Sequence, residues 1–122
     1  MAKVILTIDD SLTVRKFAKR ALESLGFDVK EAKDGQEGLD VCSQTMPDGI
    51  LLDWNMPVMD GLDFLKALRQ GAFKTQPKVI FCTKISEISN IQQALEFGAD
   101  EYLMKPFDKE MLQDKLKEVG LL

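Results

Sequence analysis

Apolar residues follow two spacings along this chain. Short continuous runs, KVILTI (3–8), GILL (49–52), KVIFC (78–82) and EYLM (101–104), are separated by stretches where apolar positions recur every three or four residues. Continuous runs suit strands buried on both faces, and the longer spacing suits helices with one apolar stripe. From Ser11, the residues Leu12, Phe17, Ala18, Ala21, Leu22 and Leu25 keep helical spacing until Gly26, a C-terminal stop. Residues 27–32 (FDVKEA) read as a second, less buried strand. Asp34, with Glu37 three residues on, is a capping-box variant opening a helix that carries Leu39, Val41, Cys42 and Met46 to Pro47. Residues 49–53 form a third strand, and 54–61 (WNMPVMDG), with Pro57 and an Asp60-Gly61 turn, form a loop. Phe64, Leu65 and Leu68 mark a helix stopping near Gly71. Residues 78–82 are strand four, and a helix from about Ser86 to Phe97 ends at Gly98. Residues 101–104 are strand five, and a last helix runs from Asp108 to about Val119.

Five strands, each followed by a helix, predict one α/β domain over residues 1–122, a parallel sheet with helices on both faces. Right-handed crossovers leave few topologies, and ligands in such sheets bind beyond the carboxyl ends of the strands. No internal repeat, low-complexity tract or linker interrupts the pattern.

Composition narrows the chemistry. Apolar content of 45% and charged content of 30% suit a soluble globular protein, and the net charge is −4. With a pI near 4.8, a nucleic-acid-binding surface is not expected. The start, MAKVILTIDDS, is no secretory signal, and no run approaches the ~18 apolar residues of a membrane span. Cys42 and Cys82 lie far apart in apolar contexts, so buried thiols in a reducing cytoplasm are expected. The chain has no histidine, which excludes imidazole acid/base chemistry, imidazole metal ligation and a phosphohistidine carrier.

The chemistry that remains gathers at strand ends. Asp9 and Asp10 follow the first run, Asp53 the third, Thr83 the fourth and Lys105 the fifth. Singly, each has an ordinary reading: Asp10 or Ser11 as a helix cap, Asp53 as a turn residue, Thr83 as a strand-end hydroxyl, Lys105 as a solvated charge. Together, at four strand ends of one parallel sheet, they form a single acidic site. Two carboxylates ~4 Å apart repel by about 4 kcal/mol at an effective dielectric of ~20. Such a cluster asks for a divalent cation, and Mg²⁺ suits a few carboxylates, a carbonyl and retained waters. The Asp9-Asp10-Ser11 turn also argues against a nucleotide- or flavin-binding module, whose Gly- or hydroxyl-rich turn would cradle phosphate directly.

With DDS at 9–11, DWNMPVMDG at 53–61, Thr83 and YLMKPF at 102–107, essentially the whole chain resembles the receiver domain of two-component response regulators. The resemblance implies a flavodoxin-like, doubly wound sheet of order 2-1-3-4-5. It implies that Asp53 accepts a phosphoryl group from a phosphohistidine, with Thr83 and Lys105 binding the phosphoryl oxygens. It implies Mg²⁺ held by Asp10 and Asp53, by the Asn55 carbonyl, and by Asp9 through water. It implies a cis Lys105-Pro106 bond and a switch in which Thr83 moves toward the phosphoryl group and Tyr102 turns inward. The partner face in this family includes helix four, strand five and helix five. Ile88, Ile91 and Leu95 form an apolar stripe on helix four, read either as core or as part of that face. Arg15 reads as a solvated charge or as a contact for a kinase or phosphatase. Two residues depart from the pattern: Lys84 stands where Ala or Gly is usual, and Ile85 is apolar where many relatives are polar. Both bear on phosphoryl lifetime.

The resemblance further implies a signalling phosphoprotein that catalyses its own phosphotransfer and dephosphorylation, rather than an enzyme with a separate substrate. No output domain is expected, so output falls to a protein contact made by a cytoplasmic monomer. DDSLTVRK and DWNMPVMDGLDFLKALR look most like chemotaxis regulators that bind a flagellar motor switch protein. A phosphorelay intermediate or phosphate sink, paired with a histidine kinase or phosphotransfer protein, is the alternative. A haloacid-dehalogenase-like phosphatase would need a second Asp two residues after its nucleophile, and position 55 is Asn.

Overall fold

A computed structural model describes the backbone of residues 2–71 and 76–122, and their side chains except those of Ile85 and Ile88. The order is β1 (Val4–Ile8), α1 (Leu12–Ser24), β2 (Asp28–Ala32), α2 (Gly35–Gln44), β3 (Gly49–Asp53), α3 (Gly61–Gln70), β4 (Lys78–Lys84), a 3₁₀ segment (Ile85–Asn90), α4 (Ile91–Glu96), β5 (Glu101–Lys105) and α5 (Lys109–Glu118). The five strands form one sheet of order β2-β1-β3-β4-β5, and every described pairing is parallel. The expected fold is the observed one.

Alternation along the strands divides the core. Leu6, Ile8, Ile50, Leu52 and Phe81 pack with Phe64, Leu65 and Leu68 of α3 on one face. Ile5, Leu51, Ile80, Cys82 and Leu103 pack with Ala18, Ala21 and Leu22 of α1 and Leu112 and Leu116 of α5 on the other. β3 is buried along its whole length, whereas edge strand β2 alternates, as its mixed sequence predicts.

Side-chain caps set the helix starts. Ser11 Oγ accepts from the Val14 N–H (3.3 Å), Asp34 Oδ1 from Glu37 (2.8 Å), Asp60 Oδ1 from Asp63 (2.9 Å) and Asp108 Oδ1 from Met111 (2.8 Å). Glu37 reaches back to the Lys33 N–H, one residue before the cap (3.3 Å), which completes the capping-box variant. The Asp60-Gly61 pair, expected as a turn, is instead the cap and first residue of α3. α2 stops at Gln44, short of Met46.

The larger correction lies between residues 85 and 97. A single helix was expected from about Ser86; the structure has a six-residue 3₁₀ segment and then a six-residue α4. Asn90, the α4 cap, makes no side-chain capping bond. The apolar stripe splits as well: Ile91 is buried, Leu95 is exposed, and the Ile88 side chain lies outside the described residues.

Candidate functional site

β1, β3, β4 and β5 deliver their last residues to one edge because they are parallel and in register. Asp53 pairs with Cys82, Cys82 with Leu103, and Lys84 with Lys105. Thr83 is the next-to-last residue of β4 and Lys105 the last of β5, so neither lies beyond its strand.

Asp9, Asp10 and Asp53 each place a carboxylate oxygen within 4.8 Å of the others. Asp9 and Asp53 are buried and Asp10 is exposed. The Lys105 ammonium donates to Asp9 Oδ2 and Asp53 Oδ1, each at 2.8 Å. Its side chain is only 14% exposed. Burial raises the Asp53 pKa above its ordinary value, aided by the Asp9 charge and opposed by Lys105. Burial alone would lower the Lys105 pKa; its bonds and charge interactions with Asp53 and Asp9 outweigh this and raise it. One ammonium thus bonds two of the three carboxylates, and the cluster is short of positive charge.

The Lys105-Pro106 peptide is cis, as expected. The Thr83 hydroxyl is buried and donates to the Lys84 carbonyl at 3.3 Å. Phe81 pairs with Tyr102, so Thr83, two residues on, shares a sheet face with Tyr102. The Tyr102 ring is half-buried, with the Lys115 ammonium 5.0 Å from its centroid. Cys42 and Cys82 are buried free thiols, and burial pushes their pKa values up to about 11 and about 12, so neither is nucleophilic at neutral pH.

The β3–α3 loop forms one wall. A Cβ at Gly61 would lie 2.1 Å from the Asp53 carbonyl oxygen, so only glycine lets α3 start this close to the acidic site. Val58 has φ 68° and is 83% exposed, with the Met59 N–H donating back to the Pro57 carbonyl at 2.7 Å. A β-branched residue at positive φ is strained, and here it holds an apolar side chain out at the loop tip. Asn55 is exposed, and its side-chain amide donates to the Glu87 carboxylate on the 3₁₀ segment.

Arg15 is not a solvated charge. It donates to the Asp9 carbonyl (2.6 Å) and to Glu31 Oε1 (3.2 Å), and its side chain is 15% exposed. It ties the loop after β1 to the neighbouring strand β2. Asp9 Oδ1 also accepts the Ser11 N–H (2.9 Å), so both ends of Asp9 are held. Neither Glu87 nor the structural use of Arg15 was legible beforehand, because both join elements far apart in sequence. The spacing of Arg15 along α1 put it near the acidic loop and no further. Ile85, named as a departure, has its side chain outside the described residues.

The family model of the response regulator receiver domain matches residues 5–117, and the chain belongs to that family. The phosphate regulon transcriptional regulatory protein PhoB of Pseudomonas aeruginosa is 35% identical over 98% of this chain and 52% of its own length. The chain spans about half the length of the curated relatives it matches. The chemotaxis response regulator CheY4 of Vibrio cholerae superposes with a TM-score of 0.90 at 32% identity, covering 98% of this chain and 99% of that one. The signal receiver domain of a signal transduction histidine kinase from Syntrophus aciditrophicus superposes with a TM-score of 0.87 at 31% identity, covering 97% and 89%. Among the described residues, no helix is long and apolar enough to cross a membrane.

Proposed function

We propose that this receiver domain is a phosphoacceptor in which Asp53 takes a phosphoryl group from a phosphohistidine on a sensor histidine kinase or a histidine phosphotransfer protein. The observation that carries this is the Lys105 ammonium between Asp9 and Asp53, inside a carboxylate cluster at the open edge of the sheet. Phosphoryl transfer asks for in-line positioning and charge neutralisation more than for acid/base groups, which suits a chain without histidine.

An Asp53 oxygen bonds to phosphorus as the P–N bond of the donor breaks, and the imidazole nitrogen leaves with the electron pair. Lys105 holds the other participants' charge in place: it stays on one Asp53 oxygen while its remaining donor capacity meets the incoming phosphoryl oxygens. The donor set fits Mg²⁺, since three carboxylate oxygens lie close together and one of the three residues is exposed. Asp10 and Asp53 would hold the ion directly, the Asn55 carbonyl would add a ligand, and Asp9 would act through water. Bound there, it supplies positive charge to the phosphoryl oxygens. Thr83 must leave the Lys84 carbonyl to reach the phosphoryl group, which opens space on the Tyr102 face. Tyr102 borders an open depression with Ile91 and Leu95 of α4, the face on which the switch would be read. Turnover is confined to the protein's own phosphorylation and dephosphorylation.

For output, likeness to a chemotaxis regulator over 99% of that chain supports a protein target such as a flagellar motor switch protein. Likeness to the receiver of a histidine kinase supports the second reading, a phosphorelay intermediate or phosphate sink. A pulldown with motor switch protein beside a transfer assay to a histidine phosphotransfer protein separates them. The core reading is tested with radiolabelled acetyl phosphate: Asp53→Asn should lose at least about 100-fold of the labelling of the wild type. Undiminished labelling of the variant overturns the assignment.

A further inference from the structure

The geometry points to Lys84 as a second cation for the phosphoryl group, a positioning role that rests on the reading of Asp53 as acceptor. Lys84 is the last residue of β4, paired in register with Lys105. Parallel neighbours in register point to the same face, and residues two apart along a strand do so as well. Asp53 pairs with Cys82, so Lys84 lies two residues further on along the adjacent strand and shares a face with Asp53 and Lys105.

Reach follows from sheet dimensions. With strands ~4.8 Å apart and a rise of ~3.3 Å per residue, the Cα of Lys84 is about 8 Å from that of Asp53. The Cα of Lys105, one strand further away, is about 12 Å from it by the same measure. Yet the Lys105 ammonium contacts Asp53 at 2.8 Å. Lys84 has the same four-carbon stem and a shorter distance to cover.

It is also available. Lys84 is exposed, and among the described residues it makes no ion pair or side-chain hydrogen bond. It lines the same apolar groove as Lys105, Pro106, Phe107 and Phe17, so its stem has a surface to lie on as its head swings inward.

Charge explains why it would move in only when a phosphoryl group arrives. Three carboxylates against one ammonium leave a formal −2, which a divalent ion cancels. Converting the Asp53 carboxylate to an acyl phosphate adds about one negative charge at neutral pH. Lys105 is already shared between two carboxylates, and Lys84 is the neighbouring cation with no competing partner among the described residues. The phosphoryl group would gain a charge-assisted hydrogen bond that a small residue at this position could not give.

The alternative is that the stem merely crowds the entrance. Lys84→Met keeps the stem and removes the charge, Lys84→Ala removes both, and Lys84→Arg keeps the charge. Two readouts are used with Mg²⁺ present: the rate of Asp53 labelling by acetyl phosphate, and the affinity for beryllium fluoride, a phosphoryl mimic, followed by Trp54 fluorescence. In labelling, an Asp53 oxygen bonds to phosphorus while acetate leaves with the electron pair of the broken P–O bond, so no further reactant is needed. Lys84→Met and Lys84→Ala should each lose about fivefold in both readouts, the scale of a partly exposed charge-assisted bond, while Lys84→Arg stays within about twofold. A Lys84→Met that matches the wild type in both overturns the proposal, whether Lys84→Ala is unchanged or faster. Labelling of Asp53→Asn at the wild-type rate overturns instead the reading on which it rests.

Discussion

At the amino end of the sheet, the Arg69 guanidinium donates to the Gly98 carbonyl (3.0 and 2.8 Å), the Pro77 carbonyl (2.9 Å), Gln76 Oε1 (3.1 Å) and Asp100 Oδ2 (3.1 Å). Asp100 in turn accepts the Val79 N–H at 2.8 Å. At the carboxyl end, one Lys105 ammonium serves two buried carboxylates while a third stands nearby in solvent. Both ends place charges where strands meet loops, but only the first completes its pairings within the protein. There the planar fork of arginine joins α3 to the turn before β5 and to the start of β4. The second end leaves negative charge over, which stabilises nothing in the resting chain and is useful only when a cation and a phosphoryl group arrive. One end holds the fold; the other holds a capacity to bind.

The widest separation between the two ends should come from Arg69→Ala. It removes the arginine donor from two carbonyls and from Asp100 Oδ2, which keeps the Val79 N–H, and should cost about 2–3 kcal/mol in urea denaturation, with labelling of Asp53 unchanged where the variant is folded. A loss of labelling at full stability would erase the difference between the two ends. Asp10→Asn should act in the opposite sense. Relief of repulsion should stabilise the metal-free protein slightly, while Mg²⁺ affinity, read from Trp54 fluorescence, falls about tenfold. A variant that is destabilised without metal and binds Mg²⁺ as before would place Asp10 with the structural charges.

The smallest effect is a slope. The folded Asp53 pKa is raised, so the folded chain holds this proton more tightly than the unfolded one, whose value lies near 3.8. Protonation at Asp53 therefore favours folding, and its contribution declines as pH rises through that window. Metal-free wild type should gain stability relative to Asp53→Asn as pH is lowered toward 4. Lys105, also raised, contributes in full below its ordinary 10.5 and loses that contribution only as pH rises through its folded value, so it adds nothing to the acid slope. An acid slope of the opposite sign would mean that Lys105, not burial, governs Asp53.

Most strands were legible because each was written locally. β3, predicted at 49–53, is observed at Gly49–Asp53, since an apolar run this short, flanked by Pro47 and Pro57, fits a central strand buried on both faces. The stretch after β4 was not legible for the opposite reason. Ser86, Ser89 and Asn90 are residue types that compete for backbone hydrogen bonds as readily as they join a helix, and Glu87 bonds across to the Asn55 amide, so the spacing of Ile91 and Leu95 overstated it. The structural role of Arg15 was not legible because its partners are the Asp9 carbonyl and Glu31, which a parallel pairing brings beside it.

Read alone, the sequence specifies the alternation of strand and helix, the cap at Asp34, a cap at Asp10 or Ser11, and the position of each reactive residue at the end of an apolar run. These are consequences of periodicity and of hydrogen bonding within a few residues, which any copy of the segment carries with it. Only the tertiary structure decided which charges meet. Sheet order and register put Lys105 on Asp9 and Asp53, and left Lys84 on the same face without a partner among the described residues. Charges act through space across a few ångströms, and only the folded sheet brings residues 9, 53 and 105 that close.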